Sequence, residues 1–279
     1  MNQSFKLSKF DLTNKWVVVT GAAGLLGKQH AIALLEINAN LVLLDKDKNG
    51  AMQVTDDLNQ LDFSGKILNY EIDIANESEV LAVYNDLLAK EILISVLINN
   101  AAINPKYEVL AGSANRSRVE DFDLLDWDLQ LDVGLKGAFI CSKIFGSNMA
   151  KQGNGVILNI ASDLSIIAPD QRIYKTGKTN EFENVKPITY SVIKSGLVGM
   201  TKYLATYWNE SNVRVNALSP GGVFENQDPI FIEKLNTLIP LGRMALPDEY
   251  KSAIQFLCSD ASSYMTGHNL IIDGGRSVW

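Results

Sequence analysis

Short apolar runs recur along the chain, each rich in β-branched residues or leucine and bounded by turn residues. Residues 16–20 (WVVVT), 40–45 (NLVLLD), 67–73, 95–99 (SVLIN), 156–161 (VILNIA), 213–218 (VRVNAL) and 269–273 (NLIID) read as strands buried on both faces. Between them, residues 26–37, 78–90, 125–149 and 189–209 space their apolar side chains with helical periodicity. Strand alternating with helix predicts an α/β fold, a doubly wound parallel sheet covered by helices on both faces. No composition break, Pro/Gly-rich linker or internal repeat divides the pattern, so residues 1–279 are read as one domain.

Three segments resist this pattern. Residues 103–121, 164–187 and 220–239 are long, polar and rich in turn residues, and each follows a predicted strand end. Long loops in a domain of this kind are usually functional or disordered, and open α/β sheets bind ligands at the carboxyl ends of their strands.

Composition narrows the function by exclusion. Twenty-five Lys and Arg against 32 Asp and Glu give a net charge of −7, which disfavours a nucleic-acid binder that must neutralise phosphates. Cys141 and Cys258, with two histidines, are too few for a disulfide framework or a metal cluster, so no metal is expected. Both cysteines read as buried small hydrophobes, and a reducing, cytoplasmic compartment is expected. The N-terminal residues 1–14 lack a signal-peptide core, and no run approaches the ~18 apolar residues of a membrane span.

The first strand runs into Thr20-Gly21-Ala22-Ala23-Gly24-Leu25-Leu26-Gly27 and then a helix. Glycines there permit a tight turn and close approach of a pyrophosphate to backbone N–H groups, which a helix N-terminus favours. Gly27 lets the helix pack closely on the sheet. Asp45 closes the second strand 18 residues after Gly27. A carboxylate at that place accepts hydrogen bonds from ribose hydroxyls and repels a 2′-phosphate, favouring NAD over NADP. Its plain alternative is a strand-end Asp capping a turn, and Lys46 and Lys48 nearby weaken the discrimination. Asp73 is placed beside the adenine. Asn99-Asn100-Ala101-Ala102, ending the fourth strand, supplies small residues where a cofactor crosses the sheet edge.

Tyr190 and Lys194 stand four residues apart at the start of a predicted helix and therefore share one face. A free phenol titrates near ~10, and a neighbouring ammonium favours its ionised form. Ser162 ends the fifth strand. Alone, a Tyr-x-x-x-Lys is usually a solvated helix face.

The assembly of motifs is far more specific. Thr-Gly-x-x-Gly-x-x-Gly, Asn-Asn-Ala-Ala, Ser162, Tyr-x-x-x-Lys, Ser219-Pro220-Gly221-Gly222 and the tail Thr266-Gly267…Asp273-Gly274-Gly275 follow in one order. From about Lys15 to Gly275 the chain resembles the short-chain dehydrogenase/reductase family. The resemblance implies a Rossmann sheet of about seven strands, a nicotinamide cofactor and a homodimer or homotetramer. It makes Tyr190 the general acid/base, Lys194 the holder of the nicotinamide ribose, and Ser162 the group that polarises the substrate oxygen. It also implies cofactor contacts at Gly21, Gly24, Leu26, Gly27, Asp45, Asp73, Ile74, Asn100, Ala101, Tyr190, Lys194, Pro220, Gly221 and Val223.

Two departures stand out. Gly134, in Asp132-Val133-Gly134-Leu135-Lys136-Gly137, occupies the place where the family commonly has an Asn that bends the helix and anchors a proton-relaying water. Glycine can keep the bend but has no side chain for the water. The 28 residues from Ser162 to Tyr190 are also roughly twice the family's separation. Arg172, Lys175, Lys178 and Lys186 lie in that insertion, and Lys106, Arg116 and Arg118 in the loop after the fourth strand. Charged loops are usually just solvated, yet cations over the substrate side would suit a phosphorylated or nucleotide-bearing substrate, with Arg116, Arg172 and Lys175 as its binding residues.

Gly134 and the insertion together resemble a bacterial subgroup, the flagellin-modification or nonulosonate-pathway sugar oxidoreductases. That finer resemblance implies hydride transfer on an activated sugar in surface-glycan biosynthesis. Two alternatives stay open. The glycine spacing is more usual in sugar-nucleotide epimerases and dehydratases with tightly bound NAD, and a non-catalytic NAD-binding regulator would share the fold.

Overall fold

Alternate residues of a strand face opposite sides of a sheet, and here both sides are apolar and covered. In the computed structural model, which describes residues 8–103, 117–175 and 185–279, seven parallel strands form a single sheet in the order β3-β2-β1-β4-β5-β6-β7. They are β1 (Trp16–Thr20), β2 (Asn40–Asp45), β3 (Ile67–Glu71), β4 (Ile94–Asn99), β5 (Gly155–Ile160), β6 (Val213–Pro220) and β7 (Asn269–Ile272). Val17 and Val19 of β1 pack with Leu41 and Leu43 of β2 against one layer of helices. That layer consists of α1 (Leu25–Leu35), α2 (Lys48–Asn59) and α9 (Lys251–Cys258). Val18, Val42 and Leu44 face the other way, towards α3 (Glu77–Ala89), the long helix of residues 124–152 and α7 (Ile188–Tyr207).

The predicted strands all form, with ends shifted by at most two residues. Asp73 lies two residues beyond β3, and Asp273 just beyond β7. The long helix is continuous but not uniformly α. It runs from α4 (Leu124–Leu131) through a π turn (Asp132–Gly137), α5 (Ala138–Cys141) and a second π turn (Ser142–Gly146) into α6 (Ser147–Gln152). The third polar segment contains a helix of its own, α8 (Pro229–Asn236), started by Pro229 and by Asp228, whose carboxylate accepts from Ile230 N and Phe231 N. Cys141 and Cys258 are buried, and burial pushes both thiols up to about 12. No helix among the described residues is long and apolar enough to cross a membrane.

The strand order reverses between β1 and β4. Connections from these neighbours leave to opposite sides, which opens a crevice at their carboxyl ends. All three polar segments start at that edge of the sheet.

Candidate active site

The glycine turn after β1 is built against the end of β4. Gly21 has φ +63°, and a Cβ there would lie 2.7 Å from Ala101 Cα, so both conformation and space demand glycine. Thr20 Oγ1 accepts from Asn100 N and Ala101 N at 3.0 Å, while Asn100 Nδ2 donates to the Thr20 and Gly21 carbonyls at 3.0 Å. At Gly27 a Cβ would come 2.2 Å from Gly21 O, so the first turn of α1 nests against the loop. Gly24 caps α1 without a side-chain hydrogen bond. The leading N–H groups of α1 are thus not taken up by a cap, which fits the pyrophosphate of a dinucleotide.

Asp45 is tied to the same loop. Its Oδ2 accepts from Ala23 N at 2.8 Å and its Oδ1 from Asp47 N at 2.9 Å. The turn-capping role and the position beside the glycine loop therefore coexist. Lys46 and Lys48 turn to other carboxylates: Lys46 Nζ lies 2.8 Å from Asp73 Oδ2 and Lys48 Nζ 3.2 Å from Glu71 Oε2. The hydrogen bond from Lys46 holds the Asp73 carboxyl below its ordinary value. Ile74 is a core residue whose side chain packs where a Cβ on Gly137 would sit, 2.8 Å away. Its backbone is what remains for a cofactor.

Across the crevice, a cavity of about 460 Å³ gathers Leu26, Asn100, Ser162, Tyr190, Lys194 and the 220–223 turn. Gly221 N donates to Ile272 O at 2.9 Å, and a Cβ on Gly221 would lie 2.7 Å from Asp273 Cα. Val223 bridges Ala245, fixing this turn against the chain before α9.

Ser162, Tyr190 and Lys194 converge because β5 ends beside the first turn of α7. Tyr190 and Ser162 line the same cavity, and Ser162 Oγ donates to Asp163 Oδ1 at 2.8 Å and accepts from Leu164 N at 3.2 Å. Lys194 is buried; its Nζ donates to Ile160 O at 2.7 Å and lies 5.7 Å from the centre of the Tyr190 ring. Burial pushes the Tyr190 phenol above its ordinary value; the nearby Ser162 hydroxyl offsets part of this, and the Asp163 charge pushes it further up. Burial brings Lys194 down to about 8, and the nearby Lys186 charge adds to that fall.

Gly134 sits in the first π turn, buried, with Ile193 directly opposite: a Cβ there would lie 2.8 Å from Ile193 Cγ2. The bend expected from the sequence is present as this π turn. Ile193 fills the space an asparagine side chain would need.

Of the predicted substrate residues, Arg116 lies outside the described residues, as do Lys106 and Lys178. Arg172 and Lys175 are not among the cavity's lining residues; the Arg172 guanidinium pairs with Asp170 at 2.6 Å in an exposed position. Arg118 pairs with Glu120 at 3.3 Å and lines a neighbouring cleft. Lys186 does line the cavity, with Nζ 3.7 Å above the centre of the Tyr190 ring. Its position is set by the ends of the insertion. Lys186 N donates to Gln171 Oε1 at 2.8 Å, and Val185 N to Ser117 Oγ at 3.0 Å. Burial lowers Lys186 to about 8. Its spacing of four before Tyr190 is the signal that could have marked it. Asp163 and Arg276, also in the cavity wall, were missed altogether.

A parallel sheet with a glycine turn at its switch point, an acidic end to β2 and a Ser–Tyr–Lys cluster opposite define a nicotinamide-dependent oxidoreductase. The chain belongs to the short-chain dehydrogenase/reductase family: a family model described as Enoyl-(Acyl carrier protein) reductase matches residues 21–277. It is 34% identical to an NAD-dependent glycerol dehydrogenase of Listeria innocua, over 96% of each chain. It is 32% identical to a D-threitol dehydrogenase of Mycolicibacterium smegmatis, over the full length of both. Among solved structures, a gluconate 5-dehydrogenase from Burkholderia cenocepacia in complex with NADP and tartrate superposes with a TM-score of 0.82. Their identity is 25%, over 97% of this chain and 98% of that one. The protein is an NAD(P)-dependent oxidoreductase acting on CH–OH groups.

Proposed function

We propose that the enzyme oxidises a secondary hydroxyl of a polyol or sugar acid, using NAD⁺ in preference to NADP⁺. The observation that carries this reading is the convergence of Ser162, Tyr190 and Lys194 in one cavity, with Asp45 held against the glycine turn. Bound NAD⁺ supplies the hydride acceptor. Ser162 positions the substrate hydroxyl, and Tyr190 takes its proton as the carbonyl forms. Lys194, together with Lys186 above the Tyr190 ring, favours the ionised phenol. Lys194 is also placed to meet the nicotinamide ribose once it leaves the Ile160 carbonyl.

The preference for NAD⁺ is supported by the neighbours of Asp45. Lys46 and Lys48, the nearest candidates for a 2′-phosphate, are each paired with a carboxylate. The named relatives supply the polyol and sugar-acid classes. Lys186 puts a cation in the cavity wall, which suits a substrate with an anionic group. A phosphorylated or nucleotide-activated sugar of surface-glycan synthesis is one such substrate, and an aldonate is another. The exposed apolar residues Leu124, Leu125, Leu129 and Phe139 of the long helix and Tyr203 and Tyr207 of α7 support a homodimer or homotetramer.

The test is an NAD⁺-reduction screen with separate arms for neutral polyols, aldonates, sugar phosphates and nucleotide sugars. NADH release on a polyol or aldonate is expected; turnover confined to nucleotide sugars would replace the substrate class. Tyr190→Phe should lower kcat by about 10²-fold or more while NAD⁺ binding persists. A variant that keeps most of its turnover would remove Tyr190 from the acid/base role.

A further inference from the structure

The insertion between Ser162 and Tyr190 puts a tyrosine into the substrate side of the cavity. Asp170 caps a short turn, Gln171–Tyr174, its carboxylate accepting from Arg172 N at 3.0 Å. Ile173 of this turn is buried with Leu235, Ile239 and Met244, and the Tyr174 ring packs on Phe231 of α8 with ring centres 5.3 Å apart. Lys234 Nζ of α8 donates to Lys175 O, which ties the following residue to the same helix. The Tyr174 ring is thus held on α8 while it lines the cavity.

The Tyr174 hydroxyl has no hydrogen-bond partner among the described residues, although a largely buried phenol usually finds one. The charges of Arg276 and Asp163 and the Tyr190 phenol all act on it, which sets it towards the reacting end of the cavity. Burial pushes this phenol well above its ordinary value, so at neutral pH it is a hydrogen-bond donor.

Arg276 lies in the same wall and is 8% exposed. It arrives through a turn in which Gly274 and Gly275 have φ +67° and +89°. Asp273 clamps that turn, accepting from Gly275 N at 2.9 Å and Ser277 N at 2.7 Å. Arg276 Nη1 donates to Asp163 Oδ2 at 2.8 Å, and the guanidinium makes no other hydrogen bond to the described residues. A guanidinium carries five N–H donors in a rigid fork, so one contact to Asp163 leaves most of them for a ligand. The cavity wall also holds Lys186 and Lys194; against these three cations stand Asp163 and the exposed Glu225.

We propose that Tyr174 and Arg276 bind a carboxylate of the substrate, so that the enzyme selects hydroxy acids over neutral polyols. The proposal rests on the reading of Ser162, Tyr190 and Lys194 given above and narrows its substrate to the acid. Tyr174 and Arg276 both donate, and an ionised carboxylate only accepts, offering two oxygens in a plane that suits the guanidinium fork. An alditol puts a hydroxyl there, which lacks the charge that strengthens both hydrogen bonds.

The test compares aldonates with alditols of the same configuration as substrates of the full chain with NAD⁺. Wild type should have a kcat/KM at least about tenfold higher on the acid. Tyr174→Phe removes the hydroxyl and keeps the ring on Phe231; it should lower the acid-to-alditol ratio about tenfold, chiefly through KM. Arg276→Lys keeps a cation beside Asp163 but loses the fork, and should lower the ratio as well. If Arg276→Lys does not fold, Tyr174→Phe decides. A merely structural role would slow both substrates alike, and an unmoved ratio in Tyr174→Phe overturns the proposal. A wild type that prefers alditols or sugar phosphates does the same. Binding is separated from turnover by titrating the aldonate into the NAD⁺-loaded Tyr190→Phe enzyme, where adding Tyr174→Phe should raise Kd about tenfold. An unchanged Kd overturns the carboxylate site alone. Aldonate binding that depends on Tyr174, in an enzyme whose wild type oxidises no aldonate, supports the carboxylate site and removes the reaction assigned above.

Discussion

His30 lies fully buried on α1, under the glycine turn. Burial lowers it from 6.5 to about 3, against a smaller raising effect of the Asn100 side chain, so it is neutral in the folded protein. Its folded pKa lies below its unfolded one. The unfolded chain then binds the extra proton, and the stability His30 allows at neutral pH is lost as pH falls through 6.5 towards 3. Between pH 7 and pH 5 this amounts to about 2 kcal/mol. Urea unfolding of wild type and His30→Leu at both pH values should show the variant losing about 2 kcal/mol less over that interval. Equal losses would place the acid sensitivity elsewhere. At this scale the motif residues were legible because their spacing is local: Tyr190 and Lys194 need only one helical turn between them. The Asp163–Arg276 pair was not, since 113 residues separate the partners and either charge alone reads as ordinary surface.

Where the sequence pattern was strong, elements formed as read; where a helix has a narrow apolar stripe, it was overlooked. Helix α2 buries only Ala51, Val54 and Leu58, three positions in a polar stretch, and its start is marked by Asp47, whose carboxylate accepts from Gly50 N. Of the two π turns of the long helix, the first stands at the bend expected around Gly134 and the second has no signal in the pattern; each carries a glycine against a packed side chain. Gly134 meets Ile193, and at Gly146 a Cβ would come 2.5 Å from Trp208 Cη2. The interlocking of Gly134 and Ile193 explains why this chain has no asparagine at that bend. Gly134→Asn should therefore cost about 1–3 kcal/mol through overpacking. Combined with Ile193→Ala, which opens the space, the loss should be clearly smaller than the sum of the two single losses. Denaturant unfolding of the three variants checks this, and strict additivity would show that the two residues do not constrain each other.

At the scale of the molecule, the net charge of −7 conceals a site with its own electrostatics. The seven loop cations expected over the substrate reduce, among the described residues, to Lys186; Arg118 and Arg172 spend their charge on Glu120 and Asp170. The proposed preference for NAD⁺ likewise rests on pairing rather than on composition. Lys46 and Lys48 are close in sequence to Asp45 but committed elsewhere, so a 2′-phosphate would meet a carboxylate before it met a free ammonium. The crevice that holds the dinucleotide is walled by β1 and β2 on one side and by β4, β5 and β6 on the other. A ligand bound there favours the folded state of both halves together. At a free concentration 100 times its Kd, NAD⁺ should stabilise the protein by about 2.7 kcal/mol, raising Tm by roughly 5–8 °C for a chain of this size. The same concentration of NADP⁺ should raise Tm by less, and kcat/KM should be at least about tenfold higher with NAD⁺, which corresponds to a difference of about 1.4 kcal/mol. An equal or reversed order in both measurements would mean that Lys46 or Lys48 leaves its carboxylate when a phosphate arrives, and that the pairs seen here do not govern the choice.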